Sequence, residues 1–438
     1  MKLIKQFCSF VGKEIDIKQA SLINIIRSEI VEKGAISFPR FWHQALLHEK
    51  FGYYMKQDVF NKDGDFVTSV EISQMFNELI GIWLLNTFQH IGVLDSNFRP
   101  TQQKMHILEF GPGLGTLSSN ILRVFAQFNL LENIQYSYVE YSDYMRKKQQ
   151  EAVLKQLQKN NIYPKFEYND QKVEKFESEE IKLKWFKMYE HFLYEETREG
   201  LNCDPVLIIA HEFFDALPIN IFEFSGGHWC ERLVGLDKDG KTLKFILSNG
   251  PNQNVQKILN PDKYFSPEIK KLIKEGDTIE ISPQSGVIAN SLAELIAKVG
   301  GAALIIDYGE KRAFSDSVRA IQRHKLMDKN DILNKPGDCD LSAYVNFMAL
   351  EQAALKVDGI KVPELMTQGN WLEQMGISAR LQILCKNANK ATEKRLQSEY
   401  ERLVHSNQMG SNFKFMCIHK TKNNNLFPFI QDAQQIYY

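Results

Sequence analysis

No C-x-x-C pair occurs among the six cysteines, Cys8, Cys203, Cys230, Cys339, Cys385 and Cys417. Their scatter argues against a zinc site and against the disulfide framework of a small secreted domain, and a reducing compartment fits best. Long apolar runs are missing too. The longest, near Leu79–Leu85, falls far short of a membrane span, so the sequence predicts a soluble chain with no membrane insertion. Neither sign of charge dominates: 53 Lys and Arg against 54 Asp and Glu give a formal net charge of -1, which leaves no global field to recruit nucleic acid or anionic lipid. Internal repeats are absent. The first twenty residues place Lys2, Lys5 and Lys13 among Leu3, Ile4, Phe7, Phe10 and Val11, but they lack arginine and contain Glu14 and Asp16. An amphipathic targeting helix and a plain surface helix both fit. The 438 residues suffice for a large core, in one elaborated domain or two closely joined ones.

What is present centres on Met105–Asn120, MHILEFGPGLGTLSSN. Met105–Phe110 has the pattern of a strand buried on both faces, and Thr116–Phe125 that of a helix with Leu117, Ile121, Leu122 and Phe125 on one side. Between them Gly111, Gly113 and Gly115 allow bare backbone to approach a nucleotide. The third glycine comes one residue early for a dinucleotide fingerprint, and no lysine follows for a P-loop. The remaining E-x-G-x-G-x-G, beginning at Glu109, resembles the first motif of S-adenosylmethionine-dependent methyltransferases. Such a turn clears space for the amino-acid and ribose portions, while Glu109 attracts the sulfonium and ammonium charges. Glu140, about 25 residues past the last glycine and closing the apolar run Ile134–Glu140, is placed to take the ribose hydroxyls.

Along the chain, Ser21–Lys33 and Phe38–Leu47 read as helices, and Glu71–Leu85 as a strongly apolar helix after the turn Asp63-Gly64-Asp65. Residues 141–159 read as a helix, Phe166–Tyr168 as a strand, and the polar stretch through Glu196 as charged helices. Pro205–Ala210 and Gly300–Asp307 are further buried strands, and Trp229–Leu247 alternates around Asp237–Gly240 as a hairpin. The stretch Tyr308–Leu341 reads as loop, residues 342–356, 371–387 and 391–406 as helices, and Phe413–His419 as a last strand. The polar tail Asn423–Tyr438 fits either a frayed terminus or a docking segment.

Several multi-residue blocks fall in order along almost the whole chain: GYY at 52–54, GDF-x-T-S-x-E-I-S-Q-M-F from Gly64, HEFFDALP at 211–218, WCER at 229–232, IDYG at 306–309, PGDCDL at 336–341 and TQG at 367–369. Together with the glycine motif they resemble the mitochondrial complex I assembly-factor arginine methyltransferases and their bacterial MidA-type relatives. The resemblance implies an α/β fold, a mostly parallel Rossmann-like sheet of the seven-stranded methyltransferase type. It places an N-terminal helical lid over residues 1–100 and the methyltransferase domain over 101–420. Insertions fall near 141–202 and 222–300, and a tail occupies 421–438. It also implies S-adenosylmethionine as cofactor, methylation of an arginine in a core subunit of respiratory complex I, and the mitochondrial matrix.

Guanidinium is charged at neutral pH and its nitrogens are poor nucleophiles, so an arginine site wants carboxylates that grip the group and one that accepts the lost proton. Glu212 and Asp215, after a buried strand at the ligand-binding edge of an open sheet, are the catalytic candidates. Helix capping by Asp215 and a local loop bond by Glu212 are the competing readings. Asp65 and Glu71 are expected to close over the methionine end of the cofactor, and Asp307 with Tyr308 to line the acceptor pocket; no metal is called for. Gln368 and Asp340 come from matched blocks, and His324 reads as solvent-facing. Leu114 and Glu310 depart from the family pattern, which has Arg and His there. These two changes motivate the alternative of a catalytically degenerate subunit or scaffold of a mitochondrial complex.

Overall fold

A computed structural model describes residues 21–56, 68–162, 165–168, 173–177, 181–198, 204–322, 325–327, 329–421 and 426–429. The first twenty residues, Asp65, His324 and most of the tail lie outside them. Helices α1 (Leu22–Lys33) and α2 (Phe38–Leu47) open the described chain. The apolar stretch expected as one helix is two, α3 (Ser69–Ile72) and α4 (Gln74–His90). Ser73 breaks it: its backbone is extended (φ -148°, ψ 133°), and its hydroxyl caps α4 by accepting from the Met75 amide.

Then comes β1 (Met105–Phe110), α5 (Thr116–Gln127), β2 (Ile134–Val139) and α6 (Asp143–Gln158). The polar stretch that follows is not helical throughout. It forms β3 (Lys165–Tyr168), β4 (Val173–Glu177) and β5 (Lys182–Phe186) before α7 (Tyr189–Arg198). The parallel core continues with β6 (Val206–His211), α8 (Pro283–Val299) and β7 (Gly301–Glu310), and ends with β8 (Val345–Asn346), α9 (Phe347–Ala354), β9 (Met366–Thr367), α10 (Gln368–Gln374), α11 (Ile377–Lys386), α12 (Lys390–Val404) and β10 (Phe413–Lys420).

The sheet runs β9-β10-β7-β6-β1-β2-β5-β4-β3, with β8 beside β7. Its centre β5-β2-β1-β6-β7 is parallel; β10, β4 and the outer pairs are antiparallel. Helices cover both faces. On one, Trp83, Phe88, Ile121 and Phe125 of α4 and α5 pack on Ile107, Tyr136, Ile209 and Leu304. On the other, Phe192, Leu292, Ile296 and Leu350 of α7, α8 and α9 pack on Leu108, Ile208 and Ile305. The strands are apolar on both sides because both sides are covered.

A second sheet joins Ile36–Ser37, Asn220–Ser225, His228–Leu236, Leu243–Leu247 and Thr278–Ile281, and the expected hairpin is its centre. A third small sheet joins Arg319–Gln322, Lys325–Leu326 and Asp340–Ser342, in the stretch read as loop. The N-terminal hundred residues therefore divide between two cores. Helices α1 and α2 bury Ile26, Phe41 and Trp42 against Ile221, Val234 and Leu341, whereas α4 belongs to the main sheet. Among the described residues no helix is long and apolar enough to cross a membrane.

Candidate active site

Because β1, β2, β6 and β7 are parallel, the segments leaving them meet at one edge. Each ladder continues one residue past its strand: Gly111 N–H donates to the Val139 carbonyl (3.0 Å), Glu140 N–H to that of Phe186 (2.9 Å) and Glu212 N–H to that of Ile306 (2.9 Å). The chain then turns outward at each of these points.

At one end lies the glycine turn. Gly111, Gly113 and Gly115 all take positive φ, 56°, 54° and 79°. A methyl group added at Gly115 would lie 3.0 Å from the Gln149 Cα, and one at Gly111 3.3 Å from the Phe213 ring, whereas one at Gly113 would meet nothing within 4 Å. The middle glycine thus faces open space between two packed neighbours. Beside it, Glu140 is oriented by neutral donors: the Ser142 amide reaches Oε1 (2.7 Å) and the Gln149 amide nitrogen reaches Oε2 (3.0 Å). The same Gln149 nitrogen donates to the Gly113 carbonyl (2.9 Å), and Gln149 Oε1 accepts from Trp185 Nε1 (3.1 Å). One fully buried amide therefore fastens the glycine turn to the acidic residue after β2. Burial raises the Glu140 carboxyl to about 6 against the bonds to Ser142 and Gln149.

Glu109 is differently placed. It is only 2% exposed, its Oε2 accepts from the Tyr136 hydroxyl (2.7 Å), and burial pushes its carboxyl up to about 7. Tyr136 stacks on Tyr138 and Tyr138 on Trp185, with ring centres 4.7 and 4.4 Å apart. Glu109 is thereby built into the sheet beneath the turn it begins.

The HEFFDALP segment forms the other end. Asp307, at the end of β7 and completely buried, accepts from the Phe214 and Asp215 amides on Oδ2 (3.0 and 3.2 Å) and from the Tyr308 amide on Oδ1 (2.9 Å). Tyr308 in turn donates its hydroxyl to Asp215 Oδ2 (2.6 Å). Asp307 thus braces the turn, and Asp215 and Tyr308 face one another across it. Glu212 adopts a left-handed backbone (φ 47°), rare for a residue with a Cβ. Asp340, on the third sheet, accepts from the Tyr54 hydroxyl (2.9 Å), while the Tyr54 carbonyl accepts from Ser142 Oγ (2.8 Å), linking the two ends of the site.

Acids crowd this end. Burial and then the Asp215 charge raise Glu212 to about 8; burial raises Asp215 to about 6; burial, Asp215 and Glu212 hold Asp307 far above the ordinary aspartate range. Among the described residues no lysine or arginine pairs with Glu212, Asp215 or Asp307. This end is short of positive charge among the described residues.

The structure brings together most of the expected residues: Gly111, Gly113, Gly115 and Glu140 at one end, Glu212, Asp215, Asp307 and Tyr308 at the other. Glu71 is exposed on α3, whose Ser69 amide bonds Glu212. Gln368 is fully buried, accepting from Ser69 Oγ (3.1 Å) and donating to the Leu403 carbonyl (2.9 Å), and so anchors α3. Glu310 pairs with Lys414 (2.6 Å), away from the acidic wall's own hydrogen bonds. Sequence reasoning missed Gln149 and Tyr54. Gln149 lies within a helix of ordinary polar composition, and nothing in its spacing announces a partner 36 residues earlier.

The class follows from comparison. A family model described as "Putative S-adenosyl-L-methionine-dependent methyltransferase" matches residues 79–366, which is more than half of the chain, and the chain belongs to this family. A protein from Burkholderia thailandensis crystallised with S-adenosyl-homocysteine shares the fold, with a TM-score of 0.67 at 21% identity over 91% of each chain. Within the family, the chain is similar to proteins named mitochondrial protein arginine methyltransferase NDUFAF7. That of Danio rerio is 31% identical over 406 residues, covering 92% of this chain and 87% of its own, and that of Xenopus tropicalis is 32% identical over 409 residues, covering 91% and 85%. The human protein is 30% identical, over 89% of this chain and 81% of its own.

Proposed function

We propose that this chain is a protein arginine N-methyltransferase that uses S-adenosylmethionine, acts on a core subunit of respiratory complex I in support of its assembly, and works in the mitochondrial matrix. The observation that carries the acceptor class is the acidic wall. Asp215 and Asp307 are buried beside the partly buried Glu212 and Tyr308, and none of the three acids is paired with a lysine or arginine of the described chain. A planar cation with several N–H donors suits such a wall, and guanidinium presents that geometry to carboxylates. The names of the relatives support the activity and the organelle; the resemblance of the sequence blocks supports the subunit and the matrix.

The donor end fits the cofactor. Gly113 faces open space, and the Glu140 carboxylate, held by the Ser142 and Tyr141 backbone and by Gln149, keeps acceptor capacity for a ribose hydroxyl. Gly111, Gly113, Gly115 and Glu140 would hold the molecule, Glu109 would support the turn from below, and Asp65 and Glu71 stand with the segment read as closing over it. When bound, the cofactor supplies an electrophilic methyl group on a sulfonium. The chain's own part is positioning: Glu212 and Asp215 grip the guanidinium, Glu212 takes its proton, Tyr308 orients Asp215, and Asp307 fixes the turn that carries both. We read β5-β2-β1-β6-β7-β10-β9 as the seven-stranded sheet of the class. Residues 1–100 are read as the cap, 101–420 as the catalytic domain with its insertions, and 421–438 as the tail.

The test is transfer of labelled methyl from S-adenosylmethionine to separated complex I subunits, with peptide mapping of the label. Label on one arginine of a core subunit, lost when that arginine is lysine, is the expected result. No label on any subunit, from protein that binds the cofactor, would overturn the reading.

A further inference from the structure

Three buried polar atoms at the acceptor end lack a hydrogen bond, His211 Nε2, Glu212 Oε1 and Asp215 Oδ1, and the first two face one another. His211 Nε2 and Glu212 Oε1 lie 3.5 Å apart. Buried polar groups are nearly always satisfied in native proteins, so a facing pair left open asks for an explanation. The backbone supplies half of it. Successive residues of a strand point to opposite faces, yet these neighbours converge, because the left-handed φ of 47° at Glu212 ends the alternation of β6 and turns the carboxyl back toward the histidine. Keeping a non-glycine residue in that region costs on the order of 1 kcal/mol or more, which a mere packing role for Glu212 would not require.

The surroundings supply the rest. The His211 side chain is 9% exposed, and its ring packs at 5.6 Å from that of Phe76 on α4. Glu212 faces Asp215 of its own turn, Asp340 of the third sheet, the Ser69 amide of α3, and Asp307 of β7. Acids and one amide surround it; among the described residues no cation opposes them. Burial drives the imidazole down to about 3, so the ring stays neutral and offers a single N–H.

We infer that His211 is a positioning residue, donating Nε2–H to Glu212 Oε1 when the acceptor guanidinium ionises that carboxyl, and so aiming the carboxylate that receives the proton. The inference rests on the proposed function. In the transfer a C–N bond forms as the C–S bond breaks with its electron pair left on sulfur. Glu212 releases its own proton to solvent as the guanidinium binds; the methylated nitrogen then passes one N–H proton to it, the product remains a cationic methylguanidinium, and His211 neither gains nor loses a proton. A hydrogen bond to a charged acceptor matters more than one to a neutral acid, which is why the contact is loose before the cation arrives and closes afterwards.

The experiment compares the full chain with His211→Ala, His211→Gln and His211→Phe. His211→Ala is expected to lower kcat about 10- to 100-fold with donor KM unchanged, the range a hydrogen bond to an ionised group spans. The acidic limb of the kcat profile should also move up by about one pH unit, as the ionised Glu212 loses its donor. His211→Gln, whose amide N–H reaches the Nε2 position, should recover most of the rate and restore the profile; His211→Phe, which keeps the packing on Phe76, should not. Equal rates and pH profiles for Gln and Phe would overturn the inference. A readout independent of turnover is the 15N spectrum of His211 in the wild type titrated with free arginine. A protonated Nε2 whose proton moves downfield on titration supports the inference, and an unprotonated or unresponsive Nε2 refutes it. If the wild type methylates no complex I subunit, the proposed function fails, and the spectrum still decides the histidine.

Discussion

The two ends of the site satisfy their acids in opposite ways. At the glycine turn, Glu140 is met by an amide N–H on each oxygen and Gln149 has a bond at every point it offers, so geometry is settled before any ligand enters. At the HEFFDALP turn, acid faces acid: Glu212 is raised to about 8 and Asp215 to about 6, and Asp307 is held far above its ordinary range by burial and by both of them. Like charges crowded in a poorly solvated space keep protons rather than ionise. The glycine-turn end is preformed, whereas the HEFFDALP end is short of positive charge, and under the proposed function the acceptor cation would complete it. Such an arrangement has a cost in stability. A carboxyl whose folded pKa lies above its unfolded value binds a proton that the unfolded chain releases, so its contribution is greatest at low pH and is lost as pH rises through the folded value. For Glu212 that window runs from about 4.5 to about 8.

Glu212→Gln strikes the acceptor end alone, and its effect should be the largest. Methyl transfer should fall about 1,000-fold, within the range for loss of a general base, while cofactor affinity measured by calorimetry stays within about twofold. The neutral amide also removes the titration. Denaturant unfolding between pH 5 and 8 should show a flatter decline than the wild type, with the variant gaining on the order of 3 kcal/mol relative to it at pH 8. Transfer at the wild-type rate would remove Glu212 from the chemistry and leave the acidic wall without a purpose.

The mirror-image variant is Gly113→Val. No protein atom opposes the added side chain within 4 Å at the Cβ, so the fold should survive, with a penalty of about 1–2 kcal/mol for placing a β-branched residue at φ 54°. Cofactor affinity should drop at least about 100-fold, because the side chain enters the open space beside the turn, an overlap worth roughly 3 kcal/mol. Unchanged affinity would show that the open space beside Gly113 is not the donor pocket. Gln149→Leu is milder. It removes two donated bonds, to the Gly113 carbonyl and to Glu140, and the one accepted from Trp185 Nε1, and frees the carboxylate to rotate; an affinity loss of about tenfold follows from about 1.4 kcal/mol, with acceptor KM unmoved. A loss on the acceptor side instead would mean that the two ends are mechanically one.

How much of this was legible depended on whether a residue's partner was local. Met105–Phe110, Phe38–Leu47 and the Asp237–Gly240 hairpin follow from periodicity and turn chemistry, and the structure has strand, helix and hairpin there. Core strand β5, Lys182–Phe186, was hidden because it carries lysines at two of its five positions; Lys184 is nonetheless 2% exposed, and its neighbours are Leu183 and Trp185. A polar strand buried by tertiary packing has no local sign. Ser73 was overlooked as a helix break because the apolar pattern continues across it on both sides. In the site, carboxylates next to glycines or after buried strands could be singled out by type and position. Their division of labour could not: that Asp307 spends both oxygens on backbone amides, or that Glu109 belongs to Tyr136, depends on residues 92 and 27 positions away.

The smallest effect separates a site change from a surface one. Glu310 stands at the end of β7 where the sequence resemblance implies a histidine, and read along the sequence it adds a further acid to the acceptor end. In space its carboxylate is about half exposed and is neutralised by Lys414, whose ammonium also bonds the Ser411 carbonyl. The Lys414 ammonium is itself buried and keeps the Ser411 carbonyl, while the field of the half-exposed Glu310 carboxylate is screened within about 10 Å at ordinary salt. Glu310→His should therefore change kcat and acceptor KM by less than about twofold at 0.15 M salt, and leave the pH dependence of transfer set by Glu212 and Asp215. A tenfold change, or a new titration near the ordinary histidine range, would place Glu310 in the field of the acceptor pocket. The acidic wall would then extend past β7 to the protein surface, where an incoming polypeptide first meets it.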